Sequence, residues 1–478
     1  MMASAAWTQS VTPSSATSLP APITAAMQAQ GIPAESVSMW VAPTEGGQPR
    51  LQHLSETLRP AASVMKLFTT GAALHTLGPA WTWKTDVALS GTLQTDGTLK
   101  GSVHVRGSGD PSLRMEQVYL MLSRWRAAGL QRIEGDIVLD RQAFTLPAHD
   151  PWAFDGKGLR PYNAGPDALL LNHQAFTLHL MPDAARPGQI RVSMEPPLAG
   201  VALSATLTAS SSGTCGAWRD ELDLQLTPAL SLPTQGMPQW HVQVTGPYPL
   251  SCGHQTWPVL WSSGDAQDYA ARLLTQTWQS LGGELTGRVR SGAWPSDGMV
   301  WQSWTSAPLA EVVRDINKFS NNVMARQLFL TLGGGEVAAQ TVQQATTASP
   351  SPCNAAQLVL DNGSGLSRTE GSTALCLGRW LQALWASPAM PDLIASLPIT
   401  GTDGTAKRWQ GAAGHARVKT GTLSGVMAVA GYVDGESGKR HVVVGLIQHP
   451  RAAQGRPVLD ALLDWARRDQ ETLGRPTP

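Results

Sequence analysis

The chain has 478 residues, 42% of them apolar and 15% charged, with 35 basic and 35 acidic side chains. That length allows about two to four domains and a substantial buried core. A formal charge of zero argues against a general nucleic-acid binder, which needs a basic excess, and no apolar run is long enough to span a bilayer.

Met1 to Leu19 is polar, rich in Ser, Thr and Ala, and lacks the basic start and apolar core of a secretory signal. Ala3-Ser4-Ala5 resembles the small-residue end of a cleaved one. A nearly mature exported protein is the expectation, and cytosolic residence the simpler alternative. Residues 20–50 hold a short helical pattern, then an alternating Val37, Met39, Val41 strand that stops at Glu45-Gly46-Gly47 and must pair with strands far away in sequence.

In Arg59–Thr70, Pro60 forces an extended entry, after which Val64, Leu67, Gly71, Leu74 and Leu77 recur at helical spacing up to Gly78-Pro79. Ser63 falls in the first turn of that helix, where unpaired N–H groups and the positive dipole end favour a developing anion. Lys66, three residues on, rises over the same face. A serine beside an amine is the minimal apparatus of an acyl-transferase that uses lysine as base. A serine near a helix start is equally an N-cap.

From residue 84 the texture is β. Val87, Leu89, Gly91 and Leu93 alternate, Asp96-Gly97 marks a tight turn, and Leu99, Gly101, Val103 and Val105 alternate again, which is a hairpin pattern. A helix around Met115–Ala128, a strand at Ile133–Leu139, a loop-rich stretch over 145–170 and short alternating runs over 175–250 follow. Residues 84–264 thus read as one or two mainly β modules. No Lys-Ser/Thr follows their glycines, so they form no phosphate loop.

Helical texture returns near Ala266. Leu309, Val312, Val313 and Ile316 make an apolar stripe, Lys318-Phe319-Ser320-Asn321-Asn322 interrupts it, and a second helix runs to Gly333-Gly334-Gly335. Residues 341–354 read as a surface linker. Ala416–Gly421, Val426–Val433 and His441–Ile447 form an antiparallel meander, and Val458, Leu462, Trp465 and Ala466 mark a last helix with Pro457 in its first turn. The four cysteines fall in two local pairs, Cys215 with Cys252 and Cys353 with Cys376, which suits two disulfides in an oxidising compartment. Four buried free thiols are the alternative. No Cys-x-x-Cys or nearby His cluster suggests zinc, and no metal or cofactor is expected.

Ser320-Asn321-Asn322 lies in an inter-helix break and Lys419-Thr420-Gly421-Thr422 on a strand. Alone, the first reads as capping residues and the second as a surface strand. Together and in this order, Ser-x-x-Lys, Ser-x-Asn and Lys-Thr-Gly are the motif set of penicillin-binding proteins and serine β-lactamases. The long separation of Ser63 from Ser320 narrows this. The chain resembles the low-molecular-mass class C penicillin-binding proteins, the D-alanyl-D-alanine carboxypeptidase/endopeptidase family, over about residues 20–470. Gly109-Asp110-Pro111, Ile133-Glu134-Gly135-Asp136, Tyr162-Asn163-Ala164, Asp361 through Arg368 and Leu397-Pro398 through Asp403-Gly404-Thr405 carry the likeness as well, with Asn362 as one departure.

The resemblance implies an α+β fold: a transpeptidase-like domain of antiparallel sheet and helices, made of residues 20–83 and 265–478, interrupted by an 84–264 insert, expected as two subdomains. It implies Ser63 as nucleophile, Lys66 as base, Ser320 as proton relay, Asn322 as partner of Lys66 and of the substrate amide, and Lys419 as polarising cation. Thr420 would contact the substrate carboxylate, Gly421 would permit close approach of another backbone, and the Ser63 and Thr422 N–H groups would form an oxyanion hole. Peptidoglycan peptides ending in D-Ala-D-Ala are the implied substrates, D-Ala–diaminopimelate cross-links a further one, with Asp140 taking the diaminopimelate ammonium and Arg368 and Ser424 its carboxylate. β-Lactams would acylate Ser63. A periplasmic location and a homodimer are further expectations, and a β-lactamase or a non-catalytic peptidoglycan-binding protein the rival readings. Ser-Asn-Asn, where a class C β-lactamase carries Tyr-x-Asn, weighs against the former.

Overall fold

The computed structural model describes residues 18–211, 215–230, 237–333, 335–346 and 353–469. Its centre is a five-stranded antiparallel sheet in the order Ala416–Leu423, Val426–Asp434, Arg440–Gln448, Val37–Pro43 and Leu51–His53. The first strand of the chain therefore pairs with the last, Val37 opposite Ile447 and Pro43 opposite His441, the distant pairing that its alternation requires.

These strands are apolar on both faces because both faces are covered. Val442, Val444 and Leu446 point into one core, Val443 and Ile447 into the other, the alternation that a pleated strand imposes. On the first side pack the helices Lys66–Leu77, Leu309–Phe319, Asn322–Thr331 and Ala374–Trp385; on the second, Ala21–Gln30 and Arg456–Arg467, the latter through Val458, Leu459, Leu462, Leu463 and Ala466. Each fully buried aliphatic side chain contributes about 1.5–3 kcal/mol, so a two-sided sheet makes a stiff platform for the strand that carries Lys419.

The inserted region is built on the expected hairpin, Lys84–Leu93 with Thr98–Arg106. Its boundary differs from the expectation at residue 264. Helix Ala266–Ser280 packs in the insert's core, where Trp278 meets Trp125 at 6.1 Å between ring centroids. Strands Glu284–Leu285, Val289–Ser291 and Val300–Thr305 pair with strands of the insert. The chain re-enters the catalytic body only at Ser306, beside Trp83, where it left: Ser306 N donates to Trp83 O at 3.0 Å and Trp83 N to Ser306 Oγ at 2.9 Å. Within the insert, two further sheets (Ala175–Pro182, Ile190–Glu195 and Gln255–Leu260; Val201–Ser210, Asp223–Pro228 and Trp240–Pro249) share that apolar core.

Helix Gly335–Ala345 occupies the first part of the stretch expected as linker, and residues 347–352 lie outside the described ones. Both cysteine pairs are bonded, Cys215–Cys252 and Cys353–Cys376. Among the described residues no helix is long and apolar enough to cross a membrane.

Candidate active site

Ser63 sits in a 3-10 turn, Ala62–Met65, that runs straight into helix Lys66–Leu77. The tight turn is set from outside. Ala62 has a left-handed φ of 46°, and strand Ala416–Leu423 passes so close that a Cβ on Gly421 would stand 2.9 Å from Ser63 N and 3.0 Å from Ala61 O. Glycine admits that approach without a clash.

Lys66 is fully buried, and its Nζ donates at 3.0 Å to Ser63 Oγ, at 2.5 Å to Asn322 Oδ1 and at 2.5 Å to the carbonyl of Ser364. Ser320 closes helix Leu309–Phe319 in a left-handed conformation, φ 58° and ψ 40°, and Asn321 starts the next helix by accepting from Met324 N at 3.1 Å. The capping reading of this tripeptide is therefore correct for Asn321. It leaves the side chains on either side, Ser320 and Asn322, free to face the nucleophile, and both line one cavity of 370 Å³ with Ser63. Lys419, also fully buried, donates to Ser320 Oγ at 2.9 Å and to Thr420 O at 2.7 Å. Thr420 Oγ1 lies 2.7 Å from Thr405 Oγ1.

Two fully buried lysines cannot both stay charged cheaply. Burial pushes the Lys66 amine well below its usual range, the Lys419 and Arg326 cations push it further, and the Glu370 carboxylate opposes them. Burial pushes Lys419 down to about 7. The Lys66 amine, pushed towards its neutral form, thus lies within hydrogen-bond reach of the Ser63 hydroxyl, the distance that proton transfer needs.

Arg368 and Ser424 meet at a second cavity of 540 Å³ beyond the end of the Lys419 strand. The Arg368 guanidinium lies 4.6 Å from the Phe154 ring centroid. Asp140 stands apart. It closes strand Ile137–Asp140 of the insert, is buried, and its two oxygens accept from the N–H groups of Gln142 and Trp294, both at 2.9 Å. It lines neither cavity. Thr422 is exposed on the strand edge, opposite Met427.

Other groups at the site had no expected role. The Ser364 carbonyl is one, because a main-chain acceptor has no residue signature, although Gly363-Ser364-Gly365 marks an unusual turn. Tyr162, His173 and Phe319 complete the wall of the Ser63 cavity. Tyr162 is fixed by donating to Asp155 at 2.8 Å, and burial and that carboxylate push its hydroxyl up to about 12. Arg59, largely buried, lines the second cavity and donates to Ser38 Oγ at 2.7 Å. Among the described residues no cluster of His, Cys, Asp or Glu could hold a metal.

The sequence matches the family described as D-Ala-D-Ala carboxypeptidase 3 (S13) over residues 19–469. A D-alanyl-D-alanine carboxypeptidase of an Actinomadura species is 30% identical over 420 residues, covering 80% of this chain and 72% of the relative. A D-alanyl-D-alanine carboxypeptidase of Haemophilus influenzae is 25% identical over 411 residues, covering 82% and 81%. The crystal structure of penicillin binding protein 4 from Haemophilus influenzae superposes with a TM-score of 0.72 at 21% identity, covering 94% of this chain and 99% of that one. This last likeness concerns the fold.

Proposed function

Because the chain belongs to the D-Ala-D-Ala carboxypeptidase 3 (S13) family of peptidases, we propose that it hydrolyses the terminal D-Ala-D-Ala amide of peptidoglycan peptides through an acyl-enzyme on Ser63. The observation that carries this reading is the buried Lys66 amine, 3.0 Å from Ser63 Oγ and pushed towards its neutral form.

In this reading Lys66 takes the Ser63 proton as the oxygen attacks the carbonyl. The developing oxyanion is stabilised by the N–H groups of Ser63 and Thr422; the strand's close approach at Gly421, where a Cβ would stand 2.9 Å from Ser63 N, supports this, because it sets the strand edge beside the nucleophile. Ser320, held by Lys419, passes a proton to the departing D-alanine amine, and Asn322 holds Lys66 while its amide meets the substrate backbone. Lys419 and Thr420 receive the terminal carboxylate. Water then attacks the ester, with Lys66 again as base. β-Lactams form the same ester, but their leaving group stays tethered and deacylation is slow.

The finer assignments belong to the same reading. Arg368 and Ser424 bind the carboxylate of a diaminopimelate side chain in the second cavity, and the leaving amine can then belong to a D-Ala–diaminopimelate cross-link. Disulfides and a peptidoglycan substrate suit an exported, periplasmic enzyme.

Fluorescent penicillin, followed by peptide mapping of wild type and Ser63→Ala, tests the chemistry. A stable label on the Ser63 peptide that vanishes in the variant is expected. Folded wild-type protein that takes no label overturns the acyl-enzyme and leaves a binding protein.

A further inference from the structure

The loop Asp361–Gly365 touches the site from behind. Its Ser364 carbonyl accepts from Lys66, and its Gly363 carbonyl accepts from Thr69 Oγ1 at 2.6 Å. It turns through left-handed conformations at Gly363, φ 71°, and Gly365, φ 76°. A backbone so curved cannot pair its own N–H groups, and buried N–H groups need acceptors. Ser364 N donates to Asn362 Oδ1 at 3.0 Å, and the other four find their acceptors in one side chain. Glu370 Oε1 accepts from Asp361, Asn362 and Gly363 at 3.1, 3.1 and 2.6 Å, and Oε2 accepts from Gly365 at 2.7 Å.

Glu370 is 2% exposed, and no step of the reaction above uses it. Burial raises its pKa, while the amides it gathers favour the anion. The charged groups acting on Lys66 are Lys419 from strand Ala416–Leu423, Arg326 from helix Asn322–Thr331, and Glu370. Glu370 itself faces Asp361 and feels the same Arg326. Of the three groups acting on Lys66, Glu370 is the anion. Burial and two cations push Lys66 towards its neutral form, but an amine driven too far down is too weak a base to take a hydroxyl proton.

We propose that Glu370 is a positioning residue for acylation: its carboxylate gathers the loop amides that present the Ser364 carbonyl to Lys66, and it supplies the negative charge behind that amine. This rests on the acylation of Ser63 proposed above.

The experiment is the rate of Ser63 acylation by fluorescent penicillin against pH, for wild type, Glu370→Gln and Glu370→Asp, with a thermal melt of each. Wild type labels with a rate that climbs through an acid limb as Lys66 loses its proton. Glu370→Gln keeps the volume but removes the charge and sets an NH₂ against Gly365 N–H. It is expected to label about tenfold more slowly or worse, with the limb moved to lower pH by roughly half a unit or more. Glu370→Asp keeps the anion but falls one methylene short, so its rate drops while its limb stays in place. A Glu370→Gln limb that superposes on wild type, or a Glu370→Asp rate equal to wild type, overturns the proposal. Wild type that takes no label at any pH overturns the acyl-enzyme itself, and this proposal with it. If Glu370→Gln does not fold, Glu370→Asp decides: slowed labelling on an unmoved limb with a wild-type melt supports the proposal, and an undiminished rate sinks it.

Discussion

Lys419 shows what the site costs. Its amine is fully buried, with a pKa of about 7 in the folded chain against about 10.4 when unfolded. Below pH 7 both states carry the proton, and the folded state bears the whole penalty of a buried cation. Between 7 and the unfolded value that penalty fades, and above it none remains. Lys419→Met should therefore raise thermal stability by a few kcal/mol at most, with the gain largest below pH 7 and shrinking towards pH 10. Part of the gain is lost to the Ser320 hydroxyl and the Thr420 carbonyl left without their donor. Melting curves across that range check it, and a gain independent of pH would count against the buried-cation account. The same variant should lose penicillin labelling by about a hundredfold or more. The lysines and serines were legible in the sequence because the chemistry demands those side chains. Glu370 and the Ser364 carbonyl were not, since one works through main-chain amides and the other is main chain.

Among elements, the turns around the nucleophile are the least tolerant. A Cβ on Gly365 would lie 1.9 Å from Ala62 O and 2.9 Å from Ser63 N, at a φ of 76°. Gly414 has nearly the same φ, 75°, but nothing within 4 Å of its Cβ position. Both alanine variants carry the left-handed strain of about 1–2 kcal/mol, whereas only Gly365→Ala must also displace the turn that holds Ser63. Acylation in Gly365→Ala should fall about a hundredfold, with Gly414→Ala close to wild type by the same label; equal rates in the pair would refute the packing argument. Elements of eight or more residues, such as the Lys84–Leu93 hairpin arm and the Arg440–Gln448 strand, show enough periods to be read directly. Strands Glu284–Leu285 and Val289–Ser291 hold two and three residues, too few for any period, and only their tertiary partners reveal them. Helix Ala266–Ser280 is long enough to be read as a helix, but periodicity does not say which core it packs in, and its place beside Trp125 is visible only in three dimensions.

Across the whole molecule, the two regions are fastened by buried polar groups as well as by the chain crossing. Gln327, fully buried in helix Asn322–Thr331, accepts from Asp167 N at 2.9 Å and donates to Asp167 O at 2.8 Å and Gly109 O at 3.3 Å. Nearer the surface, Arg114 pairs with Asp315 at 2.7 Å across the same boundary. The catalytic half has its own staple: Cys353–Cys376, with a sequence separation of 23, ties the segment before Leu358 to helix Ala374–Trp385. Replacing both cysteines by serine should cost about 2–4 kcal/mol through the freed unfolded chain. Calorimetry without reductant should show the loss, and no loss would mean that the bridge adds nothing.

The crossing at Trp83 and Ser306 also dictates an order of events during synthesis. Strand Val37–Pro43 leaves the ribosome early, yet its neighbour Arg440–Gln448 comes some 400 residues later. Everything between Lys84 and Thr305 is a closed set of pairings that can assemble in the meantime. Ser63 and Lys66 are thus made long before Lys419 and the sheet behind them, and wait for strands Ala416–Leu423 and Arg440–Gln448. A chain that stops before Lys419 lacks both the amine that holds Ser320 and the strand that packs on Ser63, so the proposed nucleophile is complete only once that strand has been made.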